Sequence, residues 1–116
     1  TSVYGAIDIQ APAGPGLIEG TTLSENDIGI RISNDSVLRQ NTITDGKVGV
    51  QLSGGAARLE ENAIEGMSQY GVNMAFADPM LTANRLCDSA TDLFIGNGSE
   101  PQIDESNEIC VTDTPE

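Results

Sequence analysis

Three stretches of the chain alternate apolar and non-apolar residues: Ile28-Gly29-Ile30-Arg31-Ile32, Val48-Gly49-Val50-Gln51-Leu52 and Tyr70-Gly71-Val72-Asn73-Met74. Alternation with a period of two predicts half-buried strands, with Ile28, Ile30 and Ile32 on one face and Gly29 and Arg31 on the other. Leu93-Phe94-Ile95 reads as a further member and Ile7-Asp8-Ile9 as the first. A second pattern travels with these strands: Leu38-Arg39-Gln40-Asn41-Thr42-Ile43, Leu59-Glu60-Glu61-Asn62-Ala63-Ile64 and Leu81-Thr82-Ala83-Asn84-Arg85-Leu86 share the template L-x-x-N-x-[IL]. Ser106-Asn107-Glu108-Ile109 keeps N-x-I, but Ile103 stands one residue too far upstream. Ile18 to Leu23 carries Thr21 in place of the asparagine. The asparagines at 41, 62, 84 and 107 are spaced by 21, 22 and 23 residues. Turn formers such as Ser53-Gly54-Gly55 and Asp78-Pro79 lie between the apolar segments.

A unit of two short strands plus turns cannot bury its apolar face alone, so each repeat must stack on the next. The expected fold is therefore an all-β solenoid of parallel strands, one coil per repeat, with about five coils of 20–23 residues. Residues 1–111 form the stack and 112–116 an acidic C-terminal tail. Ile30, Ile32, Ile43, Val50, Leu52, Ile64, Val72, Leu86 and Ile95 are the expected core.

Composition narrows the chemistry. Five Lys+Arg against 18 Asp+Glu give a net charge of -13, which repels phosphate backbones and anionic membrane surfaces, so no nucleic-acid partner is expected. Histidine is absent, which removes imidazole bases and the usual zinc sites. The longest apolar stretch, around Gly71 to Ala83, is interrupted by Asn73, Asp78 and Pro79, so no membrane insertion is expected.

The N-x-I and x-G-I-x-I patterns at this period resemble the right-handed parallel β-helix repeat of the pectate-lyase-like superfamily, over roughly residues 3 to 111. The resemblance implies a right-handed coil and a ladder of stacked asparagines at a tight bend, matched by Asn41, Asn62, Asn84 and Asn107. Asparagine tolerates left-handed backbone angles, and its amide both donates and accepts. Thr21 departs from the pattern and is expected to end the ladder.

Cys87 and Cys110 each lie three residues after a ladder asparagine, so they share a column on successive coils. Strands about 4.8 Å apart bring such positions within disulfide range. A Cys87–Cys110 bridge is expected, with two stacked thiols in a cytosolic protein as the alternative; the bridge implies an oxidising, secreted or cell-surface location.

The outward strand column reads Asp8, Arg31, Gln51, Asn73 and Phe94, with Asp27, Lys47 and Gln69 alongside. Amides and carboxylates bind hydroxyls and an aromatic ring offers a stacking surface, so this column is the candidate glycan-binding face. Arg31 is the one weak candidate for a catalytic base. An ordinary solvated sheet with an Asp8–Arg31 cross-strand pair is the competing reading. The galacturonase acid pairs and the epimerase Asp-Pro-His segment implied by the resemblance are missing, since Met80 follows Asp78-Pro79. No resident cofactor or metal is expected. Calcium is the ion that 18 acids could hold, although Gly66 separates Asp45 from Asp88 in their shared column.

The favoured function is a secreted, non-catalytic structural or adhesive β-solenoid. It self-associates end to end into a filament or forms part of a longer β-helix, because uncapped coil ends leave backbone edges open. The alternative is a lyase-like or epimerase-like enzyme, or a glycan-binding domain, acting on an acid-tolerant polysaccharide.

Overall fold

A computed structural model describes residues 5–9, 17–25, 27–33, 35–96 and 98–113, the first of these segments as backbone course only. The chain winds through three parallel sheets. Sheet 1 contains β1 (Gly5–Ile9), β4 (Ile28–Ile32), β7 (Val48–Ser53), β10 (Tyr70–Ala75), β13 (Thr91–Ile95) and β16 (Thr112–Asp113). Sheet 2 contains β2 (Leu17–Glu19), β5 (Val37–Arg39), β8 (Arg58–Glu60), β11 (Met80–Thr82) and β14 (Gln102–Ile103). Sheet 3 contains β3 (Thr22–Ser24), β6 (Thr42–Thr44), β9 (Ala63–Glu65), β12 (Arg85–Cys87) and β15 (Glu108–Ile109).

This is a β-solenoid of about four turns, close to the coil count expected. Each coil holds three strands rather than two. The segment L-x-x-N-x-[IL] is itself a bent pair: Leu38 is the centre of β5, Ile43 the centre of β6, and the chain turns between them at Gln40 and Asn41. The leucines register as Ile18, Leu38, Leu59, Leu81 and Ile103, and the isoleucine positions as Leu23, Ile43, Ile64, Leu86 and Ile109. Ile103 keeps its place opposite Leu81 because the extra residue is absorbed in the turn before Asn107.

The core is built from these rows together with Ile30, Val50, Val72 and Leu93 and with Ile32, Leu52 and Met74. Of the expected core residues, Ile95 alone is only partly buried, packing against the cluster from its edge. The alternation expected for the sheet 1 strands breaks at their first residue. A Cβ built on Gly29 would lie 3.0 Å from Cγ2 of the core residue Ile43, and one on Gly49 would lie 2.5 Å from Cγ2 of Ile64. The glycines therefore face inward beside Ile30 and Val50, and Ile28, Val48 and Tyr70 are turned toward a surface groove. Glycine recurs at 29, 49 and 71 because core side chains and the next coil's carbonyl occupy the space that a Cβ would need.

All three corners use left-handed backbone in successive coils, the one between sheets 1 and 2 at Gly54, Gly55, Phe76 and Gly98. Between sheets 2 and 3 it falls on Gly20, Gln40, Glu61 and Ala83, with φ of 54–66°. Between sheets 3 and 1 it falls on Glu25, Asp45, Gly66 and Asp88. The left-handed residue is thus the one before Asn41, Asn62 and Asn84, which corrects the expectation that the asparagines themselves supply it. The strand course also continues past residue 111, where a tail was expected: Thr112–Asp113 pairs with β13. Residues 114–116 lie outside the described residues.

Gly49→Ala is expected to destabilise the protein by about 1–3 kcal/mol, the usual cost of overpacking, in thermal or denaturant unfolding. Glu61→Gly is expected to act oppositely, raising stability by about 0.5–1 kcal/mol by relieving a non-glycine left-handed residue, with the same unfolding measurement as its check.

Candidate functional site

Asn41, Asn62 and Asn84 are satisfied by the coils on either side of them. Asn41 donates its backbone N–H to Asn62 Oδ1 at 3.1 Å, and its Nδ2 donates to the same oxygen at 2.9 Å and to the Ile18 carbonyl at 3.0 Å. Asn62 repeats this with Asn84 and the Leu38 carbonyl, and Asn84 with Asn107 and the Leu59 carbonyl. Below Asn41, Thr21 contributes its backbone N–H to Asn41 Oδ1 at 3.0 Å but extends no amide of its own. Above Asn84, Asn107 folds back onto its own turn, donating Nδ2 to the carbonyls of Leu81 and Asp104 and its backbone N–H to the Asp104 carbonyl. The residue that lengthens the last repeat thus closes the ladder locally. These four side chains are scaffold: their donors and acceptors are consumed within the stack, leaving nothing to offer a ligand.

The cysteines stand one rung apart, with a Cα–Cα separation of 5.1 Å, and form a disulfide that ties the last coil to the one before it. In the chain-entropy description a loop of this length contributes about 3 kcal/mol.

The outer face of sheet 1 carries the remaining candidates. Register places Asp8 opposite Arg31, Arg31 opposite Gln51, Gln51 opposite Asn73 and Asn73 opposite Phe94. The column continues to Asp113. The Asp8 side chain, and with it the expected Asp8–Arg31 ion pair, lies outside the described residues. Asn73 Nδ2 donates to Gln51 Oε1 at 2.9 Å. Tyr70 reaches across to Phe94, ring centroids 5.1 Å apart and tilted by 46°. Beside this column runs a groove of about 390 Å³ lined by Ile28, Val48, Gln51, Gln69, Tyr70 and Asn73, with Asp27 and Lys47 at its rim. Lys47 Nζ lies 3.8 Å from Asp27 Oδ1, and the two also border a second hollow of about 440 Å³ over the corner that holds Glu25 and Asp45.

Sequence reasoning put Ile28 on one face with Ile30 and Ile32 and left Val48 and Tyr70 out of the outward column, whereas the structure brings all three to this groove. The glycine that follows each of them was the available signal, because a residue that cannot carry a side chain inward shifts the outward register back by one position.

Two other cations, Arg39 and Arg85, sit among acids on the two shorter sheets. Arg39 bridges Glu60 at 3.1 Å and Glu19 at 3.5 Å, and the Glu60 hydrogen bond and charge hold its guanidinium above the usual arginine range. Arg85 bridges Glu65 and Glu108. Being largely exposed, these pairs serve register more than stability. Asp92 is different: it follows Gly29, Gly49 and Gly71 in the inward column, is fully buried, accepts the Ser89 N–H at 3.0 Å through Oδ1, and has no partner at Oδ2. Among the described residues, one group gathers three metal-competent side chains, Cys87, Glu108 and Cys110. In the oxidised protein its sulfurs are bonded to each other, so it is not a calcium site.

No protein-family model matches the chain, and no curated protein or solved structure gives a significant match.

Asn62→Ala removes the acceptor for two Asn41 donors and the donor to the Leu38 carbonyl. At about 1–3 kcal/mol for each buried group left unpaired, the expected loss is at least about 3 kcal/mol in equilibrium unfolding. Ser substitution at the exposed Cys110 should cost less, about the loop-closure contribution of the disulfide.

Proposed function

We propose that this chain is an extracellular β-solenoid module that works by contact, laying the outer face of sheet 1 along a hydroxyl-rich polymer. It carries out no reaction of its own. The observation that carries this reading is the unbroken outward column Arg31, Gln51, Asn73 and Phe94, set beside the groove. Rungs about 4.8 Å apart give a polymer lying along the stack axis one side-chain contact per coil. The hydrogen bond from Asn73 to Gln51 uses one end of each amide and leaves the other end for hydroxyl groups. Tyr70 and Phe94 supply apolar ring surface for the C–H faces of sugars. A net charge of -13 favours a neutral polysaccharide over a uronate polymer, which the protein repels as a whole.

The disulfide supports the extracellular part of the proposal, because such bonds persist in oxidising compartments. The coil period and the asparagine ladder support the finer reading that the solenoid is a right-handed parallel β-helix of the pectate-lyase-like superfamily. Within that superfamily a lyase reading would make Arg31 the base, and it is the enzymatic alternative to be tested.

A second reading, end-to-end stacking into a filament, is favoured by the last coil. Ile103 is 40% exposed and Val111 44% exposed, so apolar residues lie open at that end for a second copy.

Retention of the protein on insoluble neutral polysaccharides, compared with polygalacturonate, tests the contact reading. Asn73→Ala with Phe94→Ala is expected to weaken retention about tenfold or more, a loss of about 1.4 kcal/mol, while unfolding is little changed. Equal retention of variant and wild type, or retention on none of the polymers, would overturn it. Release of unsaturated uronate products, lost in Arg31→Ala, would establish the enzyme instead. Sedimentation velocity showing a monomer at every concentration would remove the filament.

A further inference from the structure

We propose that Cys87, Cys110 and Glu108 form a redox-gated site for a thiophilic divalent cation of the zinc type. The last coil is then stapled to its neighbour by a disulfide when oxidised and by a metal when reduced.

Three observations place the donors. The sulfurs of Cys87 and Cys110 and a Glu108 carboxylate oxygen all lie within 4.8 Å of one another. Glu108 Oε2 stands 3.9 Å from Cys87 Sγ, so the carboxylate already faces the sulfur pair. The register Arg85 to Glu108 and Leu86 to Ile109 puts Cys87 opposite Cys110. Strand alternation then sets Glu108 and Cys110, two residues apart, on the outer face together with Arg85 and Cys87. The site is thus held by two neighbouring rungs of one sheet and needs no rearrangement of the coil.

Two thiolates and one carboxylate leave a fourth tetrahedral position for water, a donor set suited to zinc and unsuited to calcium. Arg85 is the one cation close by. Its Nε lies 3.4 Å from Glu108 Oε1, and its other arm is bonded to Glu65. Glu108 can therefore turn to the metal while Arg85 keeps an acid partner. Cys110 is exposed and Cys87 is 1% exposed, so an incoming small thiol reaches the disulfide at the Cys110 side.

The chemistry balances in two steps. Two molecules of a low-molecular-weight thiol reduce the disulfide, giving two protein thiols and one small-molecule disulfide. Entry of the divalent cation then displaces two protons, one from each thiol, as the two S–metal bonds form.

The test uses the whole chain, reduced with a phosphine, desalted without oxygen and titrated with Co²⁺ as a visible stand-in for zinc. The expected result is a near-ultraviolet thiolate-to-cobalt band that saturates at one equivalent and is displaced by Zn²⁺. The same band should be missing from the oxidised protein and from Cys87→Ser. Glu108→Gln, which leaves both thiols in place, should weaken cobalt binding about tenfold or more, the size expected for loss of a ligand or its support. Zn²⁺ should raise the thermal midpoint of the reduced protein and restore amide-exchange protection over residues 102–113. Absence of the thiolate band overturns the proposal, as does an unchanged affinity in Glu108→Gln. Protection of the last coil that zinc fails to restore overturns it equally.

Discussion

Everything in this molecule depends on each coil finding its backbone hydrogen bonds in the coil next to it. The strands are short, all of them three residues or fewer outside sheet 1, and none could persist as an isolated ribbon. Pairing is parallel throughout, so the partner of any residue lies one circuit away in sequence. A residue inserted in one coil and absent from the next must be lost in a corner, or every later row of the core would change face. The 23-residue spacing before Asn107 shows such a loss, since Ile103 and Ile109 hold their rows and the added residue goes into the turn between them.

The corners carry the cost of that regularity. Turning three times per coil without helix or long loop requires left-handed residues, and several are supplied by Gln40, Asp45, Glu61, Ala83 and Asp88 rather than by glycine. Turning also leaves N–H groups aimed along the stack. Side chains from a neighbouring coil receive them: Ser89 accepts from Met67, Ser99 from Ala77, Ser106 from Ala83, Asp35 from Ala56 and Asp78 from Glu100. The asparagine ladder is the buried version of the same device. Its advantage over serine is that one amide both receives from the coil before it and donates back to it, so the row is self-complementary.

The architecture was legible in the sequence because the physics repeats. The leucine and isoleucine rows, the asparagine spacing and the coincident offsets of Cys87 and Cys110 each recur at one period, and repetition separates them from chance. What was not legible lies where a local rule is broken once per coil. Glycines 29, 49 and 71 interrupt the two-residue alternation, so Ile28 read as sharing the face of Ile30 and Ile32, although it lines the groove with Val48 and Tyr70. The left-handed position between sheets 2 and 3, one residue before Thr21, Asn41, Asn62 and Asn84, carries Gly, Gln, Glu and Ala in turn, with no shared chemistry to announce it. Asp92 stands in the glycine column with a buried, unpartnered oxygen, and nothing in the local pattern distinguishes it from a surface acid. The sheet 1 column could be listed from the sequence, but the tilt of Tyr70 onto Phe94 depends on the inward turn of Gly71.

A stack in which contacts reach only to neighbouring coils behaves as a one-dimensional chain of links, and its covalent cross-link joins two of them. Under tension applied along the described stack, its coils do not yield alike. The coils at the N-terminal side are held by hydrogen bonds and side-chain packing alone and peel away one circuit at a time, each releasing about twenty residues of slack. The final two coils are bounded by the disulfide and cannot release the loop between Cys87 and Cys110. The described stack is therefore mechanically uneven, able to unwind through the coils before Cys87 and clamped between Cys87 and Cys110.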